Sequence, residues 1–232
     1  MRRRELGCRT LTMKRLVVLG ATGPSGQEVV KQALSAGHHV TAVVRNPDKL
    51  DSVQNENLKV VKADIFSAEE LSEHFRGQEV VLSCLGSRSS FRAPVTLYTE
   101  TMKAIVAAMR ETGLIRLICM TSWCTESLPG NPWFIEWILK PLVLKRTLVN
   151  MAEMEHFLFD DCQDINFTIV RPPSLGTGPF SDLPILTHEG MHVPGARWGL
   201  MNRADVAHFM LSLLDTTEWD RKAVAIQRTS RR

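Results

Sequence analysis

The apolar run Leu16-Val17-Val18-Leu19 passes directly into Gly20-Ala21-Thr22-Gly23-Pro24-Ser25-Gly26, a turn with a glycine at every third position. Glycines at this spacing let the chain turn tightly, let backbone approach a pyrophosphate, and let the following helix pack close to the strand. The helix start then offers unpaired N–H groups to an anion. Gly20, Thr22, Gly23, Pro24, Ser25 and Gly26 are therefore candidate dinucleotide-binding residues. A lone glycine turn is a weak signal, since any sharp strand-to-helix turn favours glycine. Its place at the head of a strand–helix–strand unit makes it strong.

The rest of the chain continues in that style. Strand-length apolar runs are expected at Arg15–Leu19, Val40–Arg45, Leu58–Lys62, Val80–Cys84, Leu117–Thr121, Phe167–Arg171 and Ala223–Gln227. Between them, Gln27–Ala36, Ala68–Phe75, Thr99–Glu111, Leu148–Cys162 and Ala204–Leu214 have helical character. Gly37 and Gly113 stand where helix C-caps are wanted, and Asp205 stands in a first turn, where a negative charge suits the helix dipole. Strands of unbroken apolar character alternating with helices predict an α/β fold: a single-domain, Rossmann-type, doubly wound parallel sheet. With 232 residues and 44% apolar content, the chain suits one domain, expected over residues 13–227 between a flexible basic tail at 1–12 and a basic tail at 228–232.

The second strand ends on Arg45, where an NAD-specific protein would usually carry an acid for the ribose 2′-hydroxyl. Arginine there grips a 2′-phosphate, and Lys49 one turn later adds charge, so NADP(H) is expected in preference to NAD(H). Asp64 and Ile65, past the third strand, fall where such folds line the adenine. Leu85, Gly86, Ser87 and Arg88, past the fourth, fall at the switch point that a dinucleotide crosses.

Composition removes several other functions. The net charge of +3 comes from the ends, where Arg2, Arg3, Arg4, Arg9, Arg228, Arg231 and Arg232 cluster, leaving a net-negative body. No nucleic-acid partner is expected. Five cysteines, with no CxxC pair, suit a reducing, cytoplasmic setting and no structural zinc, and the histidines lack ligand spacing, so no metal is expected. The Arg-rich start lacks the apolar core of a secretory signal. The run Trp133 to Leu144 is interrupted by Glu136, Lys140 and Pro141 and falls short of the roughly 20 residues that span a bilayer.

Gly20–Gly26, Gly37–Arg45, Ala63-Asp64-Ile65, Leu85–Arg88, Met120-Thr121-Ser122, Arg171-Pro172-Pro173 and Arg203–Ala207 together resemble the atypical short-chain dehydrogenases, within them the NAD(P)H-binding group that includes flavin reductase, also called biliverdin-IXβ reductase. The resemblance runs from about Lys14 to Gln227 and implies that Thr121 and Pro172 border the cofactor and that Ser122 lines the nicotinamide and substrate site. It also implies two substrate-side histidines, whose places hold Met151 and Ser174. That departure weakens the case for biliverdin more than for a flavin.

Classical members protonate a carbonyl through a YxxxK tyrosine. The one tyrosine, Tyr98, is followed four residues later by Met102, so carbonyl chemistry, and an epimerase or dehydratase of the extended type, are disfavoured. A flavin or similar planar acceptor needs chiefly to be held face to face with the nicotinamide. The expected activity is NADPH-dependent reduction of FMN, FAD, riboflavin or a tetrapyrrole by a monomer or weak homodimer; the alternative is a non-catalytic NADP(H)-sensing regulatory protein. Ser122 is the candidate catalytic residue, weighed evenly against a simple strand-end hydrogen bond. His156 has the character of a helix-face histidine. Trp133, Phe134 and Trp137, within the segment Trp123–Leu144, are expected in the core or at a subunit contact more than stacked on substrate.

Overall fold

The computed structural model describes residues 13–50, 53–86, 96–127, 131, 145–196 and 199–229. Its elements are β1 (Arg15–Leu19), α1 (Pro24–Ser35), β2 (His39–Val44), β3 (Leu58–Lys62), α2 (Ala68–Phe75), β4 (Val80–Ser83), α3 (Leu97–Thr112), β5 (Arg116–Met120), α4 (Lys145–Asp161), β6 (Asn166–Arg171), β7 (Leu175–Gly176), β8 (Ile185–His188), β9 (Met201–Asn202), α5 (Arg203–Ser212) and β10 (Lys222–Arg228). Eight strands form one sheet in the order β3-β2-β1-β4-β5-β6-β10-β8. All neighbours are parallel except β8, which runs antiparallel along β10. β7 and β9 make a separate parallel pair. The strand order reverses between β1 and β4, which gives the doubly wound Rossmann-type topology and opens a crevice at the carboxyl ends of those strands.

Successive residues of a strand face opposite sides, and here both sides are covered. Leu16 and Val18 pack with Val29, Val30 and Ala33 of α1 and Val206 and Met210 of α5. Val17 and Leu19 join the layer built by Leu71 and Phe75 of α2, Met102 and Ile105 of α3, and Met154 and Leu158 of α4. Two-sided burial is why these strands read as unbroken apolar runs. β3, at the sheet margin, instead exposes Lys59 and Lys62, charges that discourage a further strand from pairing there. Pro24 opens α1, where a missing N–H costs nothing. Ser67 caps α2 by accepting from Glu70 N at 3.2 Å, and α3 stops on Gly113 at φ 71°.

Several boundaries differ from expectation for physical reasons. α1 begins at Pro24 instead of Gln27, because the turn residues Pro24-Ser25-Gly26 already form its first turn. α4 starts at Lys145 instead of Leu148, and α5 gives way after Ser212 to a 3-10 turn, Leu213–Asp215. β10 extends through Arg228, which pairs with Ile185. β7, β8 and β9 were not expected: strands of two to four residues show no readable period. They belong to an excursion after β6 that is fastened to the start of α5. Asn202 Nδ2 donates to Pro179 O at 2.8 Å and Arg203 Nη1 to Gly176 O at 3.1 Å. Asp205, expected to serve its helix dipole, is 1% exposed and accepts from Ser181 N at 2.7 Å and Ser181 Oγ at 3.0 Å. Its first task is to hold this excursion.

Candidate functional site

The glycine turn occupies the crevice between β1 and β4. Gly20 has φ 75°, and a Cβ there would sit 2.6 Å from Cys84 O, so the left-handed backbone and the close approach of the β4 end both require glycine. A Cβ on Gly26 would lie 2.2 Å from Gly20 O. Gly23 is different: its backbone is extended, and a Cβ would meet only Gly20 O, at 3.2 Å. Gly23 N donates to Gly20 O and Gln27 N to Gly23 O, both at 2.9 Å, which closes the turn. The N–H groups of Ser25 and Gly26 find no backbone acceptor among the described residues, and the first turn of α1 carries no acid. Thr22 is half-buried and its carbonyl accepts from Gln27 Nε2 at 3.4 Å. A cradle of this kind, cleared of side chain at Gly23 and lined with free donors, fits a pyrophosphate.

Arg45 follows β2 directly, and Lys49 lies in the 3-10 turn Pro47–Leu50. Both are exposed, and neither forms an ion pair with a described acid. Lys49 shares a groove with Gln27 and Lys31 of α1. Asp64 Oδ1 accepts from Phe66 N at 3.0 Å while Asp64 N donates to Glu70 Oε2 at 2.8 Å, which stiffens the loop beyond β3. Ile65 is packed in the core layer of α2, whereas Phe66 beside it is 51% exposed. Leu85 is half-buried, and Gly86 has open space where a Cβ would stand. Ser87, Arg88, Trp133, Phe134 and Trp137 lie outside the described residues.

At the carboxyl ends of β5 and β6, Trp123 N donates to Pro172 O at 2.9 Å and joins the two exits. Ser122 is half-buried, and its hydroxyl has no hydrogen-bond partner among the described residues. Thr121 is 4% exposed and its hydroxyl points inward, donating to Glu155 Oε1 at 2.6 Å. Glu155 is held by Arg171 in a two-pronged pair, Nη2 to Oε2 at 2.6 Å and Nε to Oε1 at 3.2 Å. Thr125 Oγ1 completes the set at 3.0 Å from Oε2, and Arg171 Nη1 donates to Gly190 O at 3.0 Å. Cys124 N donates to Met191 O at 3.0 Å, which brings His192 edge-on to Trp123, ring centroids 6.1 Å apart. Burial, helped by His188, holds the His192 pKa below its ordinary value.

The other candidates settle into structural roles. Tyr98 is 4% exposed on α3, and its N–H donates to Asn150 Oδ1 at 2.9 Å. Met151 belongs to the core, while Ser174 is exposed. His156 is an exposed helix-face residue paired with Glu126 at 2.5 Å. Burial pushes the Cys84 thiol up to about 12, and burial together with Glu155 pushes Cys119 up, so neither thiol is a ready nucleophile.

Sequence reasoning overlooked Glu155, Thr125 and the turn 189–193. One signal was available: Glu155 sits on the apolar stripe of α4, between Met151, Met154 and Leu158, and Arg171 follows the apolar pair Ile169-Val170 at the end of a buried strand. Two opposite charges at core positions call for each other. The turn 189–193 offered no comparable sign.

Among the described residues, no helix is long and apolar enough to cross a membrane, and no group of three or more His, Cys, Asp or Glu side chains is placed to hold a metal. In sequence, the chain is 29% identical over 101 residues to YwnB, an uncharacterized protein of Bacillus subtilis, covering 44% of each protein. It is 31% identical over 148 residues to the photosystem II assembly factor Ycf39 of Cyanophora paradoxa, covering 63% of this chain and 44% of that one. The chain thus spans less than half the length of these two relatives. In structure, it superposes with a TM-score of 0.75 on ChuY, an anaerobillin reductase from Escherichia coli O157:H7, at 18% identity and covering 94% and 98% of the two chains. The NAD(P)H-binding family model matches residues 20–217, from the glycine turn to just before β10. The chain therefore belongs to the NAD(P)H-binding family.

Proposed function

We propose that this protein is an NADPH-dependent reductase of flavins or similar planar acceptors, with tetrapyrroles such as biliverdin in the same substrate class. The observation that carries the reading is the pairing of an open glycine turn at Gly23–Gly26 with a half-buried Ser122 hydroxyl, at the exit of β5, that no described residue engages. Arg45, exposed and without an acidic partner among the described residues, is the residue that would take a 2′-phosphate, with Lys49 adding charge one turn on. Leu85, Gly86 and Pro172 would border the dinucleotide, together with Thr121, whose hydroxyl proton is already given to Glu155. A nicotinamide held there would supply hydride. Ser122 orients the carboxamide or the acceptor, and the chain's one tyrosine, Tyr98, has Met102 in place of a lysine four residues later. An acceptor that can take its proton from water suits such a site, because holding two rings in register supplies most of the rate.

A second reading has one observation in its favour: the assembly-factor relative matches much of the chain. In that reading the same cradle senses NADP(H) for a protein partner. Steady-state oxidation of NADPH with FMN, FAD, riboflavin and biliverdin separates the two. Turnover of at least one acceptor is expected; NADPH binding with no turnover of any would replace the reductase by the sensor.

A further inference from the structure

Glu155 and Arg171 take no part in the chemistry above, yet they are 1% and 5% exposed. A buried pair of this kind adds little net stability over an apolar pair of similar volume. What it adds is geometry. The carboxylate accepts from Thr121 at the end of β5 and from Thr125 three residues beyond Ser122, while the guanidinium donates to Gly190 in the turn after β8. Thr125 Oγ1 is also 3.4 Å from Met191 Sδ, and Cys124 N donates to Met191 O. Ser122 therefore lies between two residues tied to one carboxylate, and the turn that sets His192 against Trp123 is tied to the partner guanidinium.

We propose that Glu155 and Arg171 are positioning residues for the Ser122 site, locking the loop from Thr121 to Glu126 against the turn from Glu189 to Val193 so that a substrate meets one rigid wall made of both. Its catalytic consequence rests on the reductase reading; the locking does not.

Thr125 is the place to test it, because Thr125→Val removes one arm of the lock without touching the ion pair. Three readouts are taken: amide hydrogen exchange at Cys124, NADPH affinity, and kcat and KM with FMN. With fold and NADPH affinity unchanged, Thr125→Val is expected to speed Cys124 exchange about tenfold and lower kcat about tenfold, the scale of a small misplacement at a reacting centre. Thr125→Ser, which keeps the hydroxyl, is expected to restore both, and Thr125→Ala replaces the valine variant should that fail to fold. Exchange at the wild-type rate overturns the proposal. So does faster exchange with kcat and KM unaltered, which makes the pair merely structural. If the wild-type protein turns over no acceptor, the reductase reading fails on its own, and the exchange comparison still decides whether the two segments are locked.

Discussion

A side chain at Gly26 would overlap the Gly20 carbonyl, and one at Gly20 would overlap that of Cys84, whereas one at Gly23 meets a single oxygen at 3.2 Å. Gly20→Ala and Gly26→Ala are thus expected to destabilise the protein by at least about 1–3 kcal/mol in urea unfolding. Gly23→Val should keep the fold and abolish measurable NADPH binding, and a folded variant with wild-type affinity would remove the pyrophosphate from this turn. Arg45, which no described acid engages, is expected to set cofactor choice. Arg45→Ala should weaken NADPH binding by about 1.5–3 kcal/mol, the range for a charged hydrogen bond, while leaving NADH nearly unchanged. Equal loss for both cofactors would place the arginine elsewhere. Ser122→Ala should cost less than about tenfold in kcat if water provides the proton. A loss in the range of roughly 10²–10⁴, typical of a missing general acid, would make Ser122 part of a proton relay.

Among the elements, α4 and β6 are joined by the buried pair Glu155 and Arg171. Removing one charge strands the other, so Glu155→Leu is expected to cost about 3–5 kcal/mol. Glu155→Leu with Arg171→Met should recover part of that loss, since no lone charge remains. Urea melts of the single and double variants check this, and a double variant no more stable than the single would show that the cost lies in packing instead. The same scale explains which elements were readable. β1, β3 and α2 fall at their expected limits because each is marked locally, β1 by an unbroken apolar run, β3 by an apolar pair between lysines, and α2 by its own cap. β7, β8 and β9 exist because a neighbour pairs with them, and nothing local announces it.

At the scale of the molecule, His38 shows how remote groups sum at one side chain. It is 5% exposed, and its Nδ1 accepts from Lys14 N at 3.2 Å. Burial lowers its pKa; Lys14 acts in the same direction, while Asp215 and Glu79 oppose it. The unfolded chain therefore binds this proton at higher pH than the folded one, so the His38 contribution is full above about pH 6.5 and is lost as pH falls below it. Unfolding free energies measured from pH 8 to pH 5 should decline for the wild type on the acid side. His38→Asn, which keeps an acceptor but does not titrate, should decline less. Identical slopes would show that other groups govern the acid limb.

How much was legible follows from the range of the forces involved. The glycine turn, the alternation of buried strands and helices, and the absence of a YxxxK tyrosine are properties of near neighbours along the chain, so the Rossmann-type fold could be argued from spacing, and the family from the motifs that resemble it. Gly20 and Gly26 carried their meaning in the sequence because a tight turn demands them wherever it occurs. Other assignments depended on what the fold brought alongside. Asp205 became a tether because Ser181, 24 residues earlier, returned to it. Thr121 gave its hydroxyl to Glu155 rather than leaving it to the crevice, and the turn at 189–193 came to stand beside Trp123, because Arg171, at the end of β6 next to β5, binds both Glu155 of α4 and the Gly190 carbonyl of that turn. Local spacing determined the scaffold and the glycine turn; which polar groups would meet beyond the ends of β5 and β6 was decided only by tertiary packing, since burying a charge or a hydroxyl is tolerable only where the fold supplies its partner.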